Sequence, residues 1–462
     1  MEQQNDTIVA ISTPPGRGGI GIVRLSGPQA QAIAQGMLRL RHPLVAGKAR
    51  FAQVLDMAND VETVLDEAVV TTFAAPHSYT SEDVVEIAAH GAPVLLDALV
   101  RQCIARGARL AEPGEFTQRA FLSGRLDLTQ AEAVQDLIES TTLTQVRTAA
   151  RQLGGALSAA VQPVKEELIA LIAALEAGID FAEDDIDLLP AEAIERRIAR
   201  VREPLAALEE TFAYGRVLRH GFSLALVGRP NAGKSSLFNR LVRSNRAIVT
   251  ASPGTTRDLI REALEFDGIP VGLIDTAGLR TAADEAEAQG IERSRQTIAE
   301  ADVLLVVVAA NEALDREDLE ALDAMGEHGN RILVLNKTDL SPEPSVARQS
   351  LIEHGLGSMA TVRTCALSGD GIAELRKAIA ERLHANPRDA DSAMLTNLRQ
   401  HGAVRATLAA LAAVEEASRV DTPHEMLLLD LYEALHGLDV LTGRTTPDEV
   451  LNLIFATFCI GK

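Results

Sequence analysis

The octapeptide Gly228-Arg229-Pro230-Asn231-Ala232-Gly233-Lys234-Ser235 constrains this chain more than any other stretch. It follows the apolar run Phe222 to Val227 and precedes Leu237, Phe238 and Leu241, so it reads as strand, phosphate loop and helix. The spacing is G-x-x-x-x-G-K-S, and each fixed position has a physical task. Glycines let successive backbone N–H groups turn inward on a polyphosphate, Lys234 reaches the β and γ oxygens, and Ser235 can ligate Mg²⁺. The expected ligand is a nucleotide, held through Asn231, Ala232, Gly233, Lys234, Ser235 and Ser236.

Four further elements follow in a workable order. Pro253-Gly254-Thr255-Thr256 supplies a hydroxyl for the Mg²⁺ shell. Asp275-Thr276-Ala277-Gly278 ends the apolar run Val271 to Ile274 with an acid for a metal-bound water and a glycine N–H for the γ-phosphate. Asn336-Lys337-Thr338-Asp339 follows the strand Ile332 to Leu335, and the Asp339 carboxylate can accept from both N1–H and the exocyclic amine of guanine, a pair of donors that adenine lacks. Cys365-Ala366-Leu367 would cover the base. The ordered set calls for GTP hydrolysis and looks like a Ras-related G domain. Leu279 stands where Ras-type enzymes carry a water-orienting glutamine, so another group must manage the water. Spacing leaves Glu287 open between orienting that water and being a solvated helix acid.

At 462 residues the chain exceeds one core and suggests two to four domains. With eleven Phe, three Tyr and no Trp, its cores must be built from Leu, Ala, Val and Ile. A net charge of −21 argues against a broad polyanion-binding surface, so any nucleic-acid contact must be local. Cys103, Cys365 and Cys459 lie far apart without C-x-x-C pairing, which argues against a disulfide framework or zinc site. No apolar run approaches the ~18 residues of a membrane span, and the expectation is a reduced, cytoplasmic protein.

The first ~120 residues alternate strands and helices, an α/β or α+β domain. Two strands, Thr7 to Ile11 and Ile20 to Leu25, flank Pro14-Pro15-Gly16-Arg17-Gly18-Gly19; a helix is expected from Pro28 to about Leu40, a strand from Val64 to Phe73 and a helix from Ala92 to Arg106. Gly16, Gly18 and Gly21 also fit the dinucleotide fingerprint, but the β-rich Ile22-Val23-Arg24-Leu25 follows where a helix should open. Apolar residues at helical spacing from Asp127 to Ile179 predict a series of amphipathic helices, with Thr129 and Glu132 as a capping box and Gly178 as a stop. Glu183, Asp184, Asp185 and Asp187 read as a solvated connection or, alternatively, a metal site. Helical pattern covers Pro190 to Tyr214 and returns from Met394 to Leu441, which makes the nucleotide domain an insertion within a helical one.

The chain closes on Phe455-Ala456-Thr457-Phe458-Cys459-Ile460-Gly461-Lys462, an apolar tail expected to be docked. Together with Pro14 to Gly19, Pro113-Gly114-Glu115-Phe116-Thr117-Gln118-Arg119-Ala120-Phe121 and the phosphate loop, this tail makes the chain resemble, over its whole length, the MnmE (TrmE) family of tRNA uridine-modifying GTPases. The resemblance implies a multidomain fold, α/β plus all-α. An N-terminal α/β tetrahydrofolate-binding and dimerisation domain spans 1–122, a discontinuous helical domain 123–216 and 385–462, and an inserted Ras-like G domain 217–384. It implies a homodimer that works with the FAD-containing partner MnmG, in a heterotetramer or larger assembly, on the wobble uridine of tRNA, with a tetrahydrofolate one-carbon unit as source. Residue by residue, it implies folate contacts at Arg24, Glu86, Arg125 and Lys462. Potassium would lie at Asn231, Thr250, Ser252 and Thr255, and Mg²⁺ at Ser235 and Thr256. GTP contacts would extend over Thr250, Ala251, Ser252, Pro253, Gly254, Thr255 and Thr256. Glu287 becomes the catalytic carboxylate and Cys459 the thiol of the modification chemistry. Arg125 stands where a lysine also occurs in the family, and Cys365 where a serine is common. Ribosome-assembly GTPases resembling Era or Der share the Asn-bearing loop, but they append a basic RNA-binding module that this acidic chain lacks.

Overall fold

The computed structural model describes residues 6–58, 61–180, 189–244, 262–266, 268–275, 301–316, 318–319, 330–340, 345–354, 361–383, 393–420 and 422–461. They form two compact units, one of Met1–Gln135, Gln152–Ala159 and Leu435–Lys462, the other of Asp136–Arg151 and Ala160–Ala434.

The first unit holds a seven-stranded sheet: β1 Ile8–Ile11, β2 Gly18–Ser26, β3 Leu38–Leu40, β4 Ala49–Ala58, β5 Val61–Phe73, β6 Val84–Gly91 and β7 Arg109–Leu110. Its order is β3-β4-β5-β6-β2-β1-β7, antiparallel at each described pairing except β1 with β7. Residues two apart share a face. Val23 and Leu25 of β2, Val85 and Ile87 of β6, and Ala68 and Val70 of β5 therefore turn together onto Ile33, Leu96, Leu99 and Cys103 of two covering helices, Ala30–Gln35 and Pro93–Ala105. Burial pushes the Cys103 thiol up to about 12, so it behaves as an apolar core group.

The expected β1–β2 hairpin is present, with Ile11 opposite Val23. Gly21 lies within β2, where a Cβ would come 2.4 Å from Leu96 Cδ1. The glycine there serves close strand–helix packing, which accounts for the misfit to the dinucleotide fingerprint. The helix expected from Pro28 to Leu40 stops at Gln35, because Gly36 caps it and Leu38 to Leu40 pair with Val54 to Ala52 as an edge strand. Strands β4 and β6 were not expected from the sequence.

Three helices occupy the region expected to be helical: Leu128–Glu139, Leu143–Leu153 and Ala156–Asp180. The capping box is displaced from Thr129 and Glu132. Asp127 Oδ1 accepts from the Gln130 N–H at 2.9 Å while Gln130 Oε1 accepts from the Asp127 N–H at 3.0 Å, a reciprocal pair with the same spacing. Thr129 Oγ1 instead donates to Asp127 Oδ1 at 2.6 Å, and Glu132 is buried. Gly178 does not end its helix, which continues to Asp180. The acidic run from Glu183 to Asp187 lies outside the described residues.

The second unit carries β8 Phe222–Val227, β9 Glu262–Phe266, β10 Ile269–Asp275, β11 Val303–Ala309, β12 Arg331–Asn336 and β13 Thr361–Arg363. The order is β13-β12-β11-β8-β10-β9, parallel except for β9 with β10. A parallel sheet covered on both faces needs continuous apolar strands. Leu224, Leu226, Leu305 and Val334 pack with Leu237, Leu241, Leu375 and Ile379 on one side, and Ala225, Val227, Val306 and Leu335 pack with Ala347 and Leu351 on the other. The same unit contains the helices Ala191–Glu210, Phe212–His220, Leu398–Arg419 and the start of His424–Thr442, in the stretches 190–214 and 394–441 where the periodicity led one to expect helix, with Phe212–His220 running past Tyr214. Among the described residues, no helix is long and apolar enough to cross a membrane.

Candidate functional site

The phosphate loop leaves the C-terminal end of β8 and opens the helix Lys234–Ser244, the crevice at which open α/β sheets bind ligands. Its backbone requires glycine at two points. Gly228 has φ +146° and a Cβ there would lie 2.2 Å from Val307 O; Gly233 has φ +92° and its Cβ would lie 2.2 Å from Asn336 Nδ2. Asn231 adopts φ 64°, a left-handed conformation that asparagine tolerates better than most residues. Lys234 is buried, and its Nζ donates to Gly228 O at 2.6 Å and Arg229 O at 2.7 Å. Asn231, Ser235 and Ser236 are exposed. Strand β10 brings Asp275 alongside Leu226, near the start of the loop.

Asn336 ties the phosphate loop to the loop after β13. Its Nδ2 donates to Ala232 O at 3.1 Å, and its Oδ1 accepts from the Ala366 N–H at 3.2 Å and from Thr364 Oγ1 at 3.3 Å. Lys337 turns through φ 64°, and Thr338 Oγ1 donates to Thr364 O at 3.1 Å. The exposed Asp339 accepts from Cys365 Sγ at 3.2 Å, and Cys365 Sγ accepts from the Ser368 N–H at 3.4 Å. The buried thiol thus takes a hydroxyl's place in steering the carboxylate. Leu367 is exposed beside it.

A second constellation lies in the first unit. A cavity of about 660 Å³ is lined by Tyr79, Glu86 and Arg125 among others. Arg24 and Glu86 face each other across the β2–β6 ladder and form an ion pair, Nη2 to Oε1 at 2.8 Å. The Arg24 guanidinium lies 5.7 Å from the Tyr79 ring centre and 5.6 Å from that of Phe116, and Arg125 lies 5.2 Å from the Tyr79 ring. Arg125 Nη1 also donates to Tyr79 O at 2.6 Å. Tyr79 is held by Thr117 Oγ1 at 2.9 Å, and burial raises its phenol pKa. The C-terminal tail is docked here, as expected. Ile460 bridges Pro113, Arg24 Nη1 donates to Gly461 O at 3.3 Å, and Gly461, at φ +96°, sits where a Cβ would lie 2.3 Å from Ile11 O. Phe455 and Phe458 are buried with Ala120 and Leu128, whereas Cys459 is exposed.

Comparison with known proteins bears on both constellations. The model for the MnmE helical domain matches residues 128–459, and that for the GTP-binding protein TrmE N-terminus matches residues 7–125. A tRNA modification GTPase MnmE of Koribacter versatilis is 56% identical over 462 residues, covering 99% of both chains. The chain belongs to the MnmE family of tRNA modification GTPases. Relatives of the same name from Chloroflexus aurantiacus and Aquifex aeolicus are 42% and 40% identical, each covering 99% of this chain and 100% of the relative.

The structure brings together Asn231, Ala232, Gly233, Lys234, Asn336, Lys337, Asp339, Cys365 and Ala366, and separately Arg24, Glu86 and Arg125. Thr250, Ala251, Ser252, Pro253, Gly254, Thr255, Thr256, Thr276, Ala277, Gly278, Glu287 and Lys462 lie outside the described residues. Sequence reasoning missed three groups. Tyr79 was unmarked because an isolated aromatic carries no spacing signal. Arg229 binds the acids at 312, 315 and 318, which a reading of linear motifs passes over. Glu115 and Arg119, both buried, form a network with Arg109, Asp6 and Glu82; they lie within the stretch Pro113 to Phe121, where spacing alone gives them no chemistry.

Proposed function

We propose that the chain hydrolyses GTP and, with an FAD-containing partner of the MnmG type, drives installation of a carboxymethylaminomethyl or aminomethyl group at C5 of the tRNA wobble uridine. The observation that carries the GTP half is Asn336, which ties the Ala232 carbonyl of the phosphate loop to the Ala366 N–H of the base loop. A phosphate cradle and a guanine-reading carboxylate are thereby held as one hydrogen-bonded unit. Family membership supports the tRNA half.

Mg²⁺ would be held by Ser235 and Thr256 together with the phosphates, supplying charge to the leaving oxygens. Potassium would lie at Asn231, Thr250, Ser252 and Thr255, taking the place of an arginine finger when two G domains face each other, and Glu287 would orient water in place of the glutamine that Leu279 displaces. In the first unit, the donor set fits a folate. Glu86 can accept from the amine and ring N–H of a pterin, Tyr79 offers a ring face, and Arg24 and Arg125 offer cations to its carboxylates. Lys462 would join them, and the tail docking supports this by holding Gly461 against Arg24. Cys459 is exposed and available to the modification chemistry. The three-part organisation, 1–122, 123–216 with 385–462, and 217–384, belongs to the same reading, as do the homodimer and a cytoplasmic location where the tRNA is found.

The test is the wobble-nucleoside profile of tRNA from cells lacking the gene. The modified nucleoside should vanish and return with the wild-type chain, but not with Lys234→Ala. Its persistence in the deletion strain would remove the tRNA assignment. A Cys459→Ser chain that hydrolyses GTP and still modifies tRNA fully would remove the thiol from the chemistry.

A further inference from the structure

Arg229 occupies a position in the phosphate loop that the motif leaves open. Its side chain is only 14% exposed, and its guanidinium meets three carboxylates from the segment after β11: Asp315 Oδ2 at 2.7 Å, Glu312 Oε2, and Asp318 Oδ2 at 3.5 Å from Nε. Burial works against the charge on Arg229, but the hydrogen bond to Asp315 and the charges of Asp318 and Glu312 outweigh it and raise the pKa further. Asp318 is 1% exposed and, among the described residues, its Oδ1 has no hydrogen-bond partner; burial raises its pKa, and the Arg229 charge works against that rise, partly offsetting a costly buried acid. The same residue acts through its backbone. Arg229 O and Gly228 O accept the two short hydrogen bonds from Lys234 Nζ, and Gly228 runs so close to β11 that a Cβ there would lie 2.2 Å from Val307 O.

We propose that Arg229 is a positioning residue for Lys234. Its clamp on Glu312, Asp315 and Asp318 fixes the Gly228 and Arg229 carbonyls, and these aim the lysine amine at the phosphates before nucleotide arrives. The side chain touches no ligand; its contribution is preorganisation, which lowers the ordering cost of binding. Arginine suits the task because one planar group reaches several carboxylates at once, which a lysine ammonium cannot do in the same geometry. The inference rests on reading the loop as a nucleotide site.

The discriminating measurement is the affinity of the full-length protein for GTP, GDP and GMP. Lys234 reaches the β and γ oxygens, so a defect transmitted through it must spare a nucleotide that has only an α-phosphate. Arg229→Ala should weaken GTP and GDP about tenfold and leave GMP unchanged. In a Lys234→Ala background the same substitution should add nothing further. Arg229→Lys should fall between, and Asp315→Asn, made at a half-exposed position, should repeat the pattern more weakly without disturbing the core. Equal losses for GMP and GTP, or full additivity with Lys234→Ala, would overturn the positioning role and leave the nucleotide site standing. Failure of the wild-type chain to bind GTP would remove both.

Discussion

The phosphate loop of the second unit and the cavity of the first are assembled from different materials. The loop is one contiguous peptide whose working groups are largely backbone: carbonyls that hold Lys234, glycines that permit close approach, and an Asn336 side chain that hydrogen-bonds to main chain on both sides. The cavity is built from side chains delivered by distant parts of the chain, Glu86 from β6, Tyr79 and Arg125 from connections, with Arg24 of β2 paired to Glu86 behind it and a tail at residue 461 closing on Arg24. A backbone site depends on φ and on the absence of Cβ atoms; a side-chain site depends on register between strands. The first should be sensitive to a single methyl group, and the second to charge.

The largest expected effect tests the backbone side of this contrast. Gly233→Ala forces a Cβ to within 2.2 Å of Asn336 Nδ2 at a φ of +92°, and GTP affinity should drop at least ~100-fold, about 2.7 kcal/mol, in nucleotide titrations. Normal affinity in that variant would show that the crevice adapts and that the contrast is false. On the side-chain side, Arg24→Ala leaves Glu86 without its partner and removes one of the two hydrogen bonds to Gly461 O, the other coming from Ser12 Oγ. Binding of a tetrahydrofolate derivative should weaken about tenfold, and the tail should become more susceptible to carboxypeptidase.

The difference in materials also explains what could be read in advance. Contiguous motifs spell out a backbone site, so the phosphate loop, Asn336 to Asp339 and Cys365 to Leu367 were legible from residue types and spacing. Arg24, Glu86 and Arg125 carry no local signal. The structure shows why: Arg24 meets Glu86 only through the pairing of β2 with β6, a strand without a marked signal, and Arg125 joins them through Tyr79. They entered through family resemblance. Element types were legible where an apolar run was continuous and followed by a motif, as in β8 and β12 with both faces buried, whereas β11, a run of the same kind with no motif after it, was not singled out. Ends were less so. The first helix was drawn past Gln35 because Met37, Leu38 and Leu40 continue an apolar pattern that Gly36 interrupts, and the cap was placed on Thr129 because hydroxyl spacing alone cannot rank it against Asp127.

Acid sensitivity offers a finer probe of the first unit. Burial works to raise the Glu115 pKa, but hydrogen bonds from Arg109, the Glu112 N–H and Arg119 outweigh it and hold the carboxyl below the usual range. A group whose folded pKa is depressed contributes stability above its unfolded value and loses it as pH falls through the folded one. Thermal melts should therefore show the first unit weakening as pH drops below the ordinary glutamate range, with Glu115→Gln flattening that dependence. An identical pH profile in the variant would exclude the network as the cause. The smallest effect concerns the helix start at Leu128. Asp127→Ala should cost about 1 kcal/mol in denaturant titrations, and Thr129→Ala measurably less; the reverse order would restore the cap to Thr129.

The central claim is that Asp339, held by Cys365 beside the Asn336 junction, reads guanine. An amide in place of the carboxylate donates where Asp339 accepts, and xanthine presents a carbonyl where guanine presents its amine. The most direct measurement is hydrolysis of GTP and XTP by wild-type protein and by Asp339→Asn. The account predicts that the wild type prefers GTP and that the variant loses GTP turnover and gains XTP turnover. A variant that kept its GTP preference would contradict it.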